Sequence, residues 1–141
     1  IPAAILAQCR PHREGQAVGL LVPVTLSVLC SILGTEYFPD LKGAILIIED
    51  INEEAYRLDA YLSQLHLAGE LRALGGLVFA DFRNCGTPEE LLYIIQKFTL
   101  YVDGPVFSGL PFGHCMPRLS IPCGLEAEIL VKGVNCLLRR I

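Results

Sequence analysis

The sequence has no tryptophan, a single methionine and few charges, with Asp, Glu, Lys and Arg together making 18% of its 141 residues. Its net charge is -4, and no basic cluster occurs beyond Arg139-Arg140. Nucleic-acid binding draws its affinity from neutralised phosphates, so no nucleic-acid partner is expected. There is no Gly-x-Gly-x-x-Gly and no P-loop; Gly75-Gly76 lacks their spacing, which removes the usual signs of a dinucleotide or nucleoside triphosphate. No Gly-x-Ser-x-Gly elbow presents a serine nucleophile. The six cysteines (Cys9, Cys30, Cys85, Cys115, Cys123 and Cys136) form no Cys-x-x-Cys pair. Scattered through apolar and glycine-rich contexts, they read as small buried thiols in a reducing cytoplasm, not as a disulfide framework. A zinc site drawn from Cys85, His114, Cys115 and Cys123 would match no common ligand spacing. The opening residues carry no secretory signal pattern, and a start at Ile1 in place of Met is expected of a piece of something longer.

What is present is apolar. Hydrophobic residues make 52% of the chain, more than in an average soluble domain, which points to apolar surface meeting another domain or subunit. The length suits a single domain, able to bury roughly two-thirds of its unfolded surface without a staple. Residues 16–35 carry no charge, the length of a membrane span. Gly19 and Pro23 interrupt that run and Thr25, Ser27 and Ser31 are polar, so it divides into a strand over 17–22 and a short helix over 25–33. No membrane role is expected.

Elsewhere the pattern alternates strand and helix. Residues 10–15 read as a polar turn holding an exposed His12. The run Ala44-Ile45-Leu46-Ile47-Ile48, ending in Glu49-Asp50, reads as a strand buried on both faces. A helix over 53–67 follows, with Leu58, Tyr61, Leu62 and Leu65 inward and Glu53 one turn before Arg57. Asp50 and Glu53 have capping-box spacing for that helix, and His66 near its end is expected to face solvent. A second buried strand covers 75–80. Thr87-Pro88-Glu89-Glu90 is a clear helix start, with an apolar face running to Val102. A short strand at 105–108 and a hairpin of 126–131 and 134–138 around Lys132-Gly133 complete an α/β domain with a mixed sheet flanked by helices.

Two residues invite chemistry. His114 lies in the glycine- and proline-rich loop 109–115, where a base could be held still; read alone, it is more readily a partly buried loop histidine bonded to backbone. Glu49, at a strand end, could orient an imidazole and stabilise its charged form, or bond the amides of the next helix. Ser27, Ser31, Ser108 and Ser120 have no special setting as nucleophiles. A Cys–His thiol hydrolase using Cys115 or Cys123 stays open, as does a non-catalytic binding module.

An ordered set of motifs narrows the choice: Gly34-Thr35, Pro39-Asp40-Leu41, Gly43-Ala44-Ile45-Leu46, Glu49-Asp50-Ile51-Asn52-Glu53, Tyr56-Arg57-Leu58-Asp59, Gln64-Leu65, Pro105-Val106, Gly113-His114 and Ile121-Pro122-x-Gly124. In this order they resemble the C-terminal domain of the LD-carboxypeptidase family, serine peptidases that include the microcin C immunity proteins. The resemblance implies a swivelling β/β/α-type domain and a Ser-His-Glu triad, with Glu49 and His114 supplied here. It places the serine on an N-terminal flavodoxin-like nucleophile domain. It further implies a cytoplasmic homodimer that removes the terminal D-alanine from a murein peptide, with neither cofactor nor metal. The chain departs from the family at Val22-Pro23-Val24, where Gly-Gly-Asn is common, and it lacks the adenine-stacking tryptophan of the immunity proteins, which favours murein.

Overall fold

Strand β3 (Ile45–Ile51) is the centre of the molecule: Ile45, Leu46, Ile47 and Ile48 expose none of their surface. Burying each of these side chains is worth about 1.5–3 kcal/mol, so no other stretch concentrates as much apolar stabilisation. The computed structural model describes residues 1–141. Around β3 the chain runs α1 (Ala3–Leu6), β1 (Arg10–Arg13), β2 (Gly15–Thr25), α2 (Leu26–Ser31), β3, α3 (Ala55–Leu67), α4 (Glu70–Ala73), β4 (Gly76–Arg83), α5 (Pro88–Thr99), β5 (Val106–Ser108), β6 (Glu126–Lys132) and β7 (Asn135–Arg140).

One seven-stranded sheet joins all the strands in the order β1-β5-β4-β3-β2-β6-β7. The β2–β3, β3–β4 and β4–β5 pairs are parallel and the others antiparallel, so the sheet is mixed, as its pattern predicts. Strand β2 has two partners along its length: Gly15 to Leu20 pair with β6, and Leu21 to Thr25 pair with β3. Pro23 is tolerated inside it for a simple reason. The Leu21 N–H donates to Leu125 on the β6 side, so by the two-residue period the nitrogen of Pro23 also faces away from β3.

The change of partner folds β6 and β7 back over the sheet. On one face Leu46, Ile48, Leu77 and Phe79 pack with α2, α3 and α5. On the other, Ile45, Ile47, Val78 and Phe107 pack against Ala127, Ile129, Val131 and Leu138. A β/β/α layering results. At Gly76 the two β layers nearly touch, since a Cβ there would lie 3.0 Å from Ile129 Cγ2.

Several local expectations are corrected by tertiary contacts. The 10–15 segment is not a turn but contains β1, which pairs with β5, and His12 is half-buried with Nε2 2.8 Å from Ser108 Oγ. Strand β2 is longer than 17–22, and α2 ends at Ser31, with Gly34 left-handed just beyond (φ 83°). His66 does not face solvent freely: its ring stacks on Tyr101 with centroids 3.7 Å apart. The helix opened by Thr87 forms the expected capping box but ends at Thr99. Glu53 pairs with Arg57 at 2.8 Å, as its spacing predicts.

Asp50 caps a different helix from the one expected. The N-cap of α3 is Glu54, with no side-chain cap bond. Asp50 instead accepts from the Ser27 N–H at 2.8 Å and the Ser27 hydroxyl at 3.2 Å, holding the start of α2. Alternation along β3 is the cause. Asp50 shares the helix-side face with Leu46 and Ile48, and α2 is what lies there. Asp50→Ala would strand the half-buried Ser27 N–H, and a loss of about 1–2 kcal/mol is expected from urea unfolding.

Candidate functional site

The same alternation sends Glu49 to the opposite face. It is 3% exposed, with only two hydrogen-bonding side chains in reach. Thr25, its register partner on β2, donates its hydroxyl to Oε1 at 2.5 Å. His114 Nδ1 lies 2.7 Å from Oε2. An ionised carboxylate only accepts, so this contact places the ring hydrogen on Nδ1. In the neutral ring Nε2, on the other side, then carries the lone pair. The His114 side chain is 45% exposed, so an imidazole anchored on a buried carboxylate opens to solvent.

The loop between β5 and β6 delivers His114. Gly109 donates to Phe79 at 3.0 Å, and the Asp81 N–H donates to Phe112 at 3.2 Å, pinning the loop to β4. Gly113 then makes the close approach. Its φ is 113°, and a Cβ there would stand 2.5 Å from Glu49 Oε2 and 2.7 Å from its Cγ. Only glycine meets both demands.

Strand β4 bulges opposite Glu49. Ile48 pairs with Phe79 and Asp50 with Phe82, so Ala80 and Asp81 together face one residue of β3, a device that re-aims side chains. Asp81 Oδ2 is buried with no hydrogen-bond partner. Burial pushes the Asp81 carboxyl above its usual range and the Glu49 charge adds to this, while Arg83 and His114 oppose it. Thr25, Asp81 and Arg83, whose guanidinium donates to the His114 carbonyl at 3.0 Å, were all missed by sequence reasoning. Thr25 is the one that aligning the strand ends would have found; the other two depend on the bulge and the loop path.

Other candidates fare differently. Ser27 is tied to Asp50 on the far face, and Ser108 bonds His12. His12 has no carboxylate partner, and burial with Arg10 beside it lowers its pKa, so the His12–Ser108 pair reads as a cross-strand link between β1 and β5. No serine, threonine or cysteine is hydrogen-bonded to the His114 ring. The cysteines are all free; Cys9, Cys30, Cys85 and Cys136 are buried as expected, whereas Cys115 is half-buried and Cys123 exposed. Burial, with the Asp81 charge, pushes the Cys115 thiol up, away from the thiolate that a nucleophile requires. Burial raises Cys9 to about 11 and Cys30 to about 12. No group of three or more His, Cys, Asp or Glu side chains is arranged to hold a metal ion. No helix is long and apolar enough to cross a membrane. The largest cavity, about 480 Å³ between α3 and α5, is lined by Tyr56, Tyr93 and their neighbours and includes neither Glu49 nor His114.

Fold and site therefore define a β/β/α domain whose central strand ends in a buried carboxylate that orients a loop imidazole. Comparison with known proteins is specific. Residues 18–129 match the model of the LD-carboxypeptidase C-terminal domain. A probable murein peptide carboxypeptidase of Bacillus subtilis is 36% identical over 120 residues, covering 82% of this chain and 38% of that protein. The murein tetrapeptide carboxypeptidase of Pseudomonas aeruginosa is 28% identical over 132 residues, covering 92% and 42%. The crystal structure of a muramoyltetrapeptide carboxypeptidase from Oxalobacter formigenes superposes with a TM-score of 0.79 at 27% identity, covering 92% of this chain and 47% of that one. The chain belongs to the LD-carboxypeptidase family and carries its C-terminal domain; it spans about two-fifths of the length of these curated relatives.

Two substitutions test the geometry. Gly113→Ala should separate His114 from Glu49 and cost about 1–3 kcal/mol, read as loss of the hydrogen-bonded Nδ1–H proton resonance and a lower urea midpoint. Asp81→Asn removes a charge whose burial raises its pKa. That cost is absent below the unfolded pKa and grows as pH rises through the folded one. The variant should therefore unfold at higher urea than the parent at pH 7, with the gain vanishing below about pH 4.

Proposed function

We propose that Glu49 and His114 are two members of a Ser-His-Glu triad in a carboxypeptidase that cuts an L-to-D amide bond, releasing the terminal D-alanine of a murein tetrapeptide. The observation that carries this reading is the 2.7 Å contact between His114 Nδ1 and a carboxylate buried at a strand end. It is the arrangement an imidazole needs to act as base through its other nitrogen. Family membership and relatives named murein peptide carboxypeptidases support the substrate class.

The serine belongs to an N-terminal nucleophile domain of the complete protein, which would be a cytoplasmic homodimer. His114 Nε2 takes the proton from the serine hydroxyl as its oxygen attacks the scissile carbonyl carbon. The imidazolium, held by Glu49, then gives that proton to the departing amine of the D-amino acid. Water repeats the cycle on the acyl-enzyme, restoring the serine. Thr25 keeps Glu49 in place by occupying the carboxylate oxygen that His114 leaves free.

In a complete protein carrying the serine domain, His114→Ala is expected to lower kcat/KM on a murein tetrapeptide by roughly 10³-fold or more, and Glu49→Gln by about 10²–10⁴-fold. Full activity in either variant would favour a non-catalytic module that keeps the fold. The chain of 141 residues alone should release no D-alanine; cleavage by it, abolished by His114→Ala, would contradict the assignment of the nucleophile to another domain.

A further inference from the structure

Residues 113–118 form no backbone–backbone hydrogen bond; the single bond to their main chain comes from a side chain, Arg83, whose Nη1 donates to the His114 carbonyl at 3.0 Å. Arg83 is itself set on the platform that carries Glu49. It is the register partner of Ile51 at the end of β3, and its own carbonyl accepts the Asn52 N–H at 2.9 Å. The residue that presents the imidazole is thus gripped at two points from adjacent strands. Glu49 of β3 holds the ring, and Arg83 of β4 holds the peptide.

We infer that Arg83 is a positioning residue for His114, fixing the peptide from which the imidazole reaches Glu49. The chemistry suits the task. A guanidinium is planar, always charged and rich in donors, so it holds a carbonyl acceptor in one direction better than a mobile ammonium would. The geometry also requires something of the kind. Gly113 supplies the left-handed turn but resists little, and the loop's nearest backbone ties are at Phe112 and Leu119. With His114 half-exposed and one ring nitrogen bonded, the Glu49 contact alone would leave the peptide free to rotate about it.

The inference rests on the reading of His114 as the base, but its test does not. In the chain carrying Arg83→Met, backbone order parameters at Gly113, His114 and Cys115 should fall from about 0.85 to below about 0.6. Nitrogen shifts of the His114 ring should show the Nδ1–H tautomer losing its dominance. Amides of β3 and β6 should keep their parent signals, which separates a loosened loop from a lost fold. Arg83→Lys, retaining a donor, should fall between the two. In the complete enzyme kcat should drop several-fold with KM unchanged. Unchanged loop order and tautomer in Arg83→Met would overturn the inference. If instead the loop loosens while His114→Ala leaves activity intact, the positioning stands and the triad reading falls.

Discussion

A carboxylate that is 3% exposed at the end of a fully buried strand is the constraint on which the site depends. A buried ionised group is tolerated only when its oxygens find donors, and Glu49 finds one on each side. Thr25 reaches it because β2 pairs in parallel with β3 to its last residue, and His114 reaches it because Gly113 permits backbone to pass against the acid. Remove either circumstance and the acid is left with an unmet oxygen. The β4 bulge, the pinned loop and the split pairing of β2 all serve the same few ångströms around this side chain.

The layering follows from β2. It is long enough to be an antiparallel strand at one end and a parallel strand at the other, and so it carries β6 and β7 back across the face that α1, β4 and β5 would otherwise leave open. This gives β3 two buried faces of different kinds, helices on one and strands on the other. Adjacent acids then acquire unrelated tasks. Asp50 holds the start of α2, and Glu49 meets an imidazole from a loop about sixty-five residues later.

Much of the fold was legible where local chemistry decides it. Thr87 with Glu90 announced α5, the leucines of α3 announced its inward face, and Gly133 marked the final hairpin. Errors fell where a distant partner overrode local preference. Residues 10–15 look like a turn until β5 supplies a strand beside them, and His66 looks solvent-facing until Tyr101 stacks on it. Asp50 has capping-box spacing for α3, yet the nearest unmet amide is that of Ser27. The period of the strand could have corrected this last reading, because Asp50 lies on the Leu46 and Ile48 side.

By itself the sequence determined most of the secondary pattern, the buried central strand with its two terminal acids and the glycine- and proline-rich loop that carries His114, because these depend on local composition and apolar periodicity within a few residues. Its ordered motifs also placed the chain in the LD-carboxypeptidase family. The resemblance already named Glu49 as the acid for His114; only the tertiary structure decided that Thr25 completes its coordination, that Asp81 is turned inward by a bulge and that Arg83 grips the His114 peptide. Those outcomes depend on register between strands and on the path of a loop, and side chains far apart in the chain acquire them only when the sheet closes.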